Sequence, residues 1–257
     1  MTTTDDHTKI AVTGTDGIAV LTLASDKVNA LDVATLGEIA SYLERAAPDP
    51  AVRALVLTGA GSIFSAGLNV NEVLDHGKDR TAVLLDALCE ALVGLFRFPK
   101  PTVAAINGPA IAGGCILACA CDKRLIAESA RIGATELKVG VAFPVFAVEL
   151  LRHACGSPAA EQLMFDAALL DAEEACRCGL VHQVVAADAL AASASDLAAQ
   201  LAGLDAPAYA LAKASSRRIA LAVLDDDACR RLDGQVLDHW QDDLTRANLD
   251  RLRKPKA

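Results

Sequence analysis

The chain has 257 residues, a formal net charge of −9 and a hydrophobic fraction of 53%. That length suits one large buried core, and the acidic balance argues against a nucleic-acid backbone as partner. No apolar run reaches the length of a bilayer span, so a membrane partner is not expected. Most of the eight cysteines sit in apolar helical patterns, where the thiol behaves as a small hydrophobe. The opening MTTTDDHTK is polar, without the apolar stretch of a secretory signal or the Arg-rich look of a transit peptide. A reduced, cytoplasmic location is the expectation.

In chain order, Ile10 to Leu23 reads as two strands around a Thr15-Asp16-Gly17 hairpin turn. Ser25 to Leu31 is a polar loop, and Asp32 caps a helix running to about Ala46, ended by Pro48 and Pro50. Val52 to Thr58 is a buried strand, Gly59 to Val70 a glycine-punctuated loop, and Thr81 to Arg97 an amphipathic helix. Phe98-Pro99-Lys100-Pro101 breaks that helix and leads into a β-branched run, Thr102 to Ile106. A turn at Asn107-Gly108-Pro109 then passes through Ala112-Gly113-Gly114 into a small-residue helix. Beyond Glu136 the helices expected are Pro144 to Ala154, Pro158 to Phe165 and Asp171 to Cys178, then a short strand, Leu180 to Val185. Three helices close the chain: Asp188 to Leu201, Ala206 to Val223 and Asp226 to Leu252. The fold class is therefore α/β, with a core over residues 1–190 and a helical C-terminal subdomain over 191–257.

Strand, glycine turn and helix start leave unpaired N–H groups facing whatever sits at the helix N-terminus. Two glycine loops have this character: Phe64-Ser65-Ala66-Gly67-Leu68-Asn69 and Asn107 to Cys115. Each alone reads equally well as a tight turn that only glycine fits. Neither is a dinucleotide or phosphate-loop fingerprint, and Ile63 spoils a nucleophile elbow at Ser65. Cys119-x-Cys121 and Cys176-x-Cys178 lack the two-residue gap of structural zinc, so no metal is expected. His153 and His182 read as satisfied core or surface groups, and Arg217-Arg218 and Arg230-Arg231 as solvated helix faces. On spacing alone, Glu136 reads as a solvated carboxylate or a cap partner.

Taken together, the two loops, the lead-in KPTVAAING and the trailing CDKRLIAESARIG resemble the crotonase (enoyl-CoA hydratase/isomerase) superfamily. The resemblance runs from Asn29-Ala30-Leu31 to about Val185. It implies a spiral of strand-strand-helix turns capped by helices, a homotrimer or dimer of trimers, and an acyl-CoA thioester as ligand. No separate cofactor is implied, because coenzyme A is part of the substrate. It also implies an oxyanion hole made by the backbone N–H groups of Leu68 and Gly113, where a developing enolate would be stabilised. Val28 and Ala30 are implied contacts for the adenine and pantetheine. Ala66, Gly67, Asn69, Val70, Ile116 and Thr135 complete the implied substrate surround, and Asn69 stands where the family often has Asp.

Hydratases of this family hold a water between two glutamates. One falls at Glu136; the other would fall at Ile116, which is apolar. The window Gly133 to Val141 resembles that of the mitochondrial Δ3,Δ2-enoyl-CoA isomerases, which carry a single Glu. The expected activity is a shift of a 3-enoyl-CoA to the 2-enoyl isomer with Glu136 as sole base. A hydratase or another crotonase activity using an unplaced carboxylate, and a non-catalytic acyl-CoA-binding protein, are the alternatives. Acyl-chain length is expected to depend on Asn71 to Leu95 and on Phe143 and Phe146.

Overall fold

The computed structural model describes residues 9–224 and 227–253. The polar N-terminal stretch read above lies outside the described residues, apart from Lys9. Two strands, β1 (Ile10–Thr15) and β2 (Ile18–Leu23), pair antiparallel around a turn in which Asp16 and Gly17 take φ of 53° and 80°. Such positive values are what a two-residue primed turn needs. Helix α1 (Val33–Ala46) starts at Asp32, whose side chain accepts from the Thr35 amide, and buries Leu36, Ile39 and Leu43. Strand β3 (Ala54–Gly59), the short α2 (Val70–Leu74) and the long α3 (Lys78–Arg97) follow. The long helix begins three residues before the expected start, with Gly77 as its N-cap.

Next come β4 (Thr102–Ile106), β5 (Ala110–Ile111), α4 (Gly113–Cys119), β6 (Lys123–Ala127) and β7 (Arg131–Gly133). A 3-10 turn over Glu136–Val139 leads to α5 (Val145–Cys155), α6 (Ser157–Phe165), β8 (Leu170–Asp171), α7 (Ala172–Arg177) and β9 (Gln183–Val185). The C-terminal elements are α8 (Leu190–Ala202), α9 (Ala206–Leu224), α10 (Asp227–Trp240) and α11 (Asp243–Arg253). The expected single helix from Asp226 to Leu252 is thus two. Trp240 turns inward to donate its indole N–H to the Ala142 carbonyl, and the chain makes a turn at Gln241 and Asp242 before α11. The segment's helical period continues across the break, which hides it.

The main sheet runs in the order β1-β2-β3-β4-β6-β9, parallel from β2 onward. A small sheet, β5-β7-β8, stands beside it. Successive turns of the chain place one strand in the main sheet and the next in the small one, β4 then β5, β6 then β7. Ser65 occupies the equivalent place after β3, bridged to Ala110. This is the α/β spiral the resemblance implied.

Helix α8, the first element of the expected C-terminal subdomain, lies on the main sheet against β3 and β4. Arg217 is buried rather than solvated, which corrects the sequence expectation. Its guanidinium meets Asp122 at 2.6 Å, bonds the Phe96 carbonyl and stacks over the Phe96 ring. Lys213 reaches the other Asp122 oxygen at 2.9 Å, where Tyr209 also donates. Buried charges need such pairing, since leaving either alone in the interior is costly. Arg218 and Arg231 are exposed. No described helix is long and apolar enough to cross a membrane.

Candidate active site

The spiral brings three sequence-distant points into step. Ser65 bridges Ala110, and Ala110 pairs with Ile132. From that row the three chains run on to Leu68, Gly113 and Glu136. A second bridge joins Leu31 to Leu68. It uses the Leu31 N–H to the Gly67 carbonyl and the Asn69 N–H to the Leu31 carbonyl. Alternation along an extended segment then turns the Leu68 N–H away from Leu31.

Gly113 is the first residue of α4, so its N–H has no partner inside the helix. The preceding N–H, from Ala112, is spent on the Gly133 carbonyl. Among the described residues, no hydrogen bond engages the N–H of Leu68 or of Gly113. The two loops meet closely: a Cβ added at Gly67 would lie 3.0 Å from the Gly113 nitrogen, and one at Gly113 would lie 3.5 Å from the Leu68 nitrogen. Ala112 carries the strain of this turn, with φ 52° and ψ −121°, a conformation suited to glycine.

Both residues line a cavity of about 440 Å³ whose walls are almost wholly apolar. Glu136 lines it as well. Its Oε2 is shut off from water and has no hydrogen-bond partner among the described residues, although the residue as a whole is only half-buried. Burial pushes its carboxyl up from an ordinary 4.5 to about 8, opposed only by its own backbone amide. Ile116 is buried in the same lining. Among the described lining residues, Glu136 is the one carboxylate.

Of the other expected contacts, Ala66, Val70 and Thr135 line the cavity. Gly67 is buried and does not line it. Asn69 caps α2, its side-chain oxygen accepting from the Asn71 amide. Val28 is exposed and Ala30 buried, and neither faces the cavity. They sit beside the donor loop, where the Val28 carbonyl accepts from the Ala66 amide. Val73, Leu88 and Phe146 line the cavity within the region expected to control chain length, whereas Phe143 does not.

The sequence reading implied a cap of helices but named none of the residues that cover the cavity. Trp240, Leu249 and Leu252 close the cavity from α10 and α11. Helix α11 is tied down by Arg246, which donates to the Val73 and Leu74 carbonyls, and by Arg253, paired with Asp75. The one legible signal was the chain's single tryptophan, on a helix with many charged residues.

Two unengaged backbone N–H groups and a desolvated carboxylate around an apolar slot are an arrangement suited to proton transfer next to a carbonyl that develops negative charge. The chain belongs to the enoyl-CoA hydratase/isomerase family, whose profile matches residues 13–247. A human relative, "Enoyl-CoA delta isomerase 1, mitochondrial", is 32% identical over 205 residues, covering 79% of this chain and 68% of that protein. An Escherichia coli relative, "2,3-dehydroadipyl-CoA hydratase", is 33% identical over 190 residues, 74% of each. Relatives from Thermus thermophilus and Bacillus subtilis carry enoyl-CoA hydratase names and match more strongly, but the aligned part spans only 54% and 64% of their lengths. The crystal structure of human mitochondrial delta3-delta2-enoyl-CoA isomerase superposes with a TM-score of 0.91 at 28% identity, covering 97% of this chain and all of that one.

Proposed function

We propose that this protein is an acyl-CoA double-bond isomerase that converts a 3-enoyl-CoA to the 2-enoyl-CoA with Glu136 as its single base. The observation that carries the reading is one carboxylate on the wall of an apolar cavity, its Oε2 buried without a partner, with Ile116 where a second carboxylate would hold water. In the forward step the ionised Glu136 takes a proton from C2. The C2–H electrons delocalise through the C3=C4 double bond and the thioester, giving a dienolate. Its oxygen is held by the N–H groups of Leu68 and Gly113, each such donor lowering the barrier by on the order of 3 kcal/mol. Protonated Glu136 then delivers the same proton to C4, leaving the double bond between C2 and C3. No water is consumed and no cofactor beyond the substrate's own coenzyme A is needed.

A carboxyl with its pKa near 8 suits both halves, since it is a stronger base than an ordinary glutamate and still returns the proton. The overall likeness to a solved isomerase supports the reading. The hydratase names among the relatives make hydration the competing activity. Homotrimeric or paired-trimeric assembly and a cytoplasmic location are part of the proposal, resting on the family resemblance and the sequence. The direct test incubates a 3-enoyl-CoA with the protein and follows the near-ultraviolet absorbance of the conjugated product. A parallel run with a 2-enoyl-CoA in heavy-oxygen water looks for label in a 3-hydroxyacyl product. Conjugation without labelled product supports isomerisation; labelled product at comparable rate refutes it.

A further inference from the structure

Ser65 does not line the cavity, yet it touches every segment that aims an oxyanion donor. Its side chain is fully buried. Its hydroxyl donates to the Asn29 carbonyl at 2.8 Å and accepts the Gly67 N–H at 3.1 Å. That second bond sits one peptide before the Leu68 N–H. Its backbone serves the other donor: the Ser65 N–H bonds the Pro109 carbonyl, and the Ser65 carbonyl accepts from Ile111, two residues before Gly113. The first turn of α4 rests directly on it, for a Cβ at Gly114 would fall 2.4 Å from the Ser65 oxygen and 2.8 Å from its Cβ.

Asn29, the partner of the hydroxyl, is held in an unusual state. It takes φ 51° without being glycine, is fully buried, and leaves its Oδ1 without a partner among the described residues. Its amide nitrogen meanwhile bonds the Ala60 and Ile63 carbonyls, pinning the chain that enters the Ser65 loop. A strained, incompletely satisfied residue persists only where its surroundings over-determine it. Here they hold the Asn29 carbonyl where the serine hydroxyl meets it.

We propose that Ser65 is a positioning residue for the oxyanion hole, its hydroxyl fixing the direction of the Leu68 N–H relative to that of Gly113. This rests on the reading of Leu68 and Gly113 as the donors. Removing the hydroxyl leaves the Gly67 N–H and the Asn29 carbonyl both buried and unpaired, and the peptide carrying the Leu68 N–H is freed to tilt. A tilt weakens the bond to a charged oxygen more than the bond to a neutral thioester carbonyl. The loss therefore falls on turnover rather than on binding.

The test uses Ser65→Ala and Ser65→Cys, the second keeping a weaker donor and acceptor at the same place and serving alone if the first does not fold. Turnover of a 3-enoyl-CoA is expected to fall about 10- to 100-fold in kcat for Ser65→Ala, with KM within about threefold and Ser65→Cys in between. A second readout needs no turnover. In a Glu136→Gln background, acetoacetyl-CoA is bound and its enolate followed by ultraviolet absorbance against pH. The parent lowers the midpoint of enolisation relative to free ligand, and Ser65→Ala raises it again by about one pH unit, the equivalent of a tenfold loss of oxyanion stabilisation. An unchanged midpoint with unchanged kcat, whatever happens to thermal stability, overturns the role of Ser65. If the parent itself fails to lower the midpoint, the donor assignment falls and the inference falls with it.

Discussion

Replacing Glu136 by Gln should abolish catalysis and, at alkaline pH, make the protein more stable. Burial raises the folded-state pKa of Glu136 from 4.5 to about 8. Between those values the native state binds more protons than the unfolded chain, so stability is intact below pH 4.5 and falls as pH rises through 8. At 1.36 kcal/mol per pH unit, the full excursion is worth up to about 5 kcal/mol. Gln keeps the shape and carries no charge, so the variant escapes that loss. Urea unfolding of both proteins from pH 4.5 to 9 should show stabilities that converge at the acid end and separate by several kcal/mol above pH 8. The kcat of the variant should drop by about 10³-fold or more, as for loss of a general base. A stability difference that is the same at pH 5 and pH 8.5 would mean that the carboxylate is hydrated, and the argument for a tuned base would be refuted.

The kcat/KM of the parent should rise with pH through a midpoint near 8, following ionisation of Glu136 in the free enzyme, and a profile already flat at pH 6 would contradict this. Ile116→Glu should lower stability by about 3 kcal/mol, because it buries a second carboxylate near the first, while introducing measurable hydration of a 2-enoyl-CoA. Ala112→Gly should stabilise the fold by about 1 kcal/mol by relieving the positive φ, with activity retained, as thermal unfolding and turnover assays would register. Asp122→Ala should cost about 3–5 kcal/mol in denaturant unfolding, since Lys213 and Arg217 would be left buried without a counter-charge.

Local rules made much of the fold legible. The Asp32 cap, the Asp16-Gly17 turn and the β-branched run before Asn107 each announce themselves within a few residues. Strands β5, β7 and β8 did not, because two or three residues are too few to show a period. They are nevertheless what stacks Ser65, Ala110 and Ile132 and so assembles the site. The proposed donor positions and Glu136 stood out only through the family motif, since nothing in local spacing distinguishes a buried carboxylate from a solvated one. Arg217 was misread because its counter-ion, Asp122, lies 95 residues away. Which C-terminal residues form the cover, Trp240, Leu249 and Leu252, was hidden for the same reason: helical periodicity tells which face is apolar, not which distant wall it meets.

A proton that leaves C2 for a base on the wall of an apolar cavity should return at C4 faster than it exchanges with solvent. A 3-enoyl-CoA carrying deuterium at C2 should therefore be turned over in ordinary water, and the 2-enoyl product analysed by mass spectrometry and NMR. Substantial deuterium at C4 is the expected result. Deuterium lost wholly to solvent, or a 3-hydroxyacyl-CoA as the main product, would contradict a single dry proton carrier at Glu136.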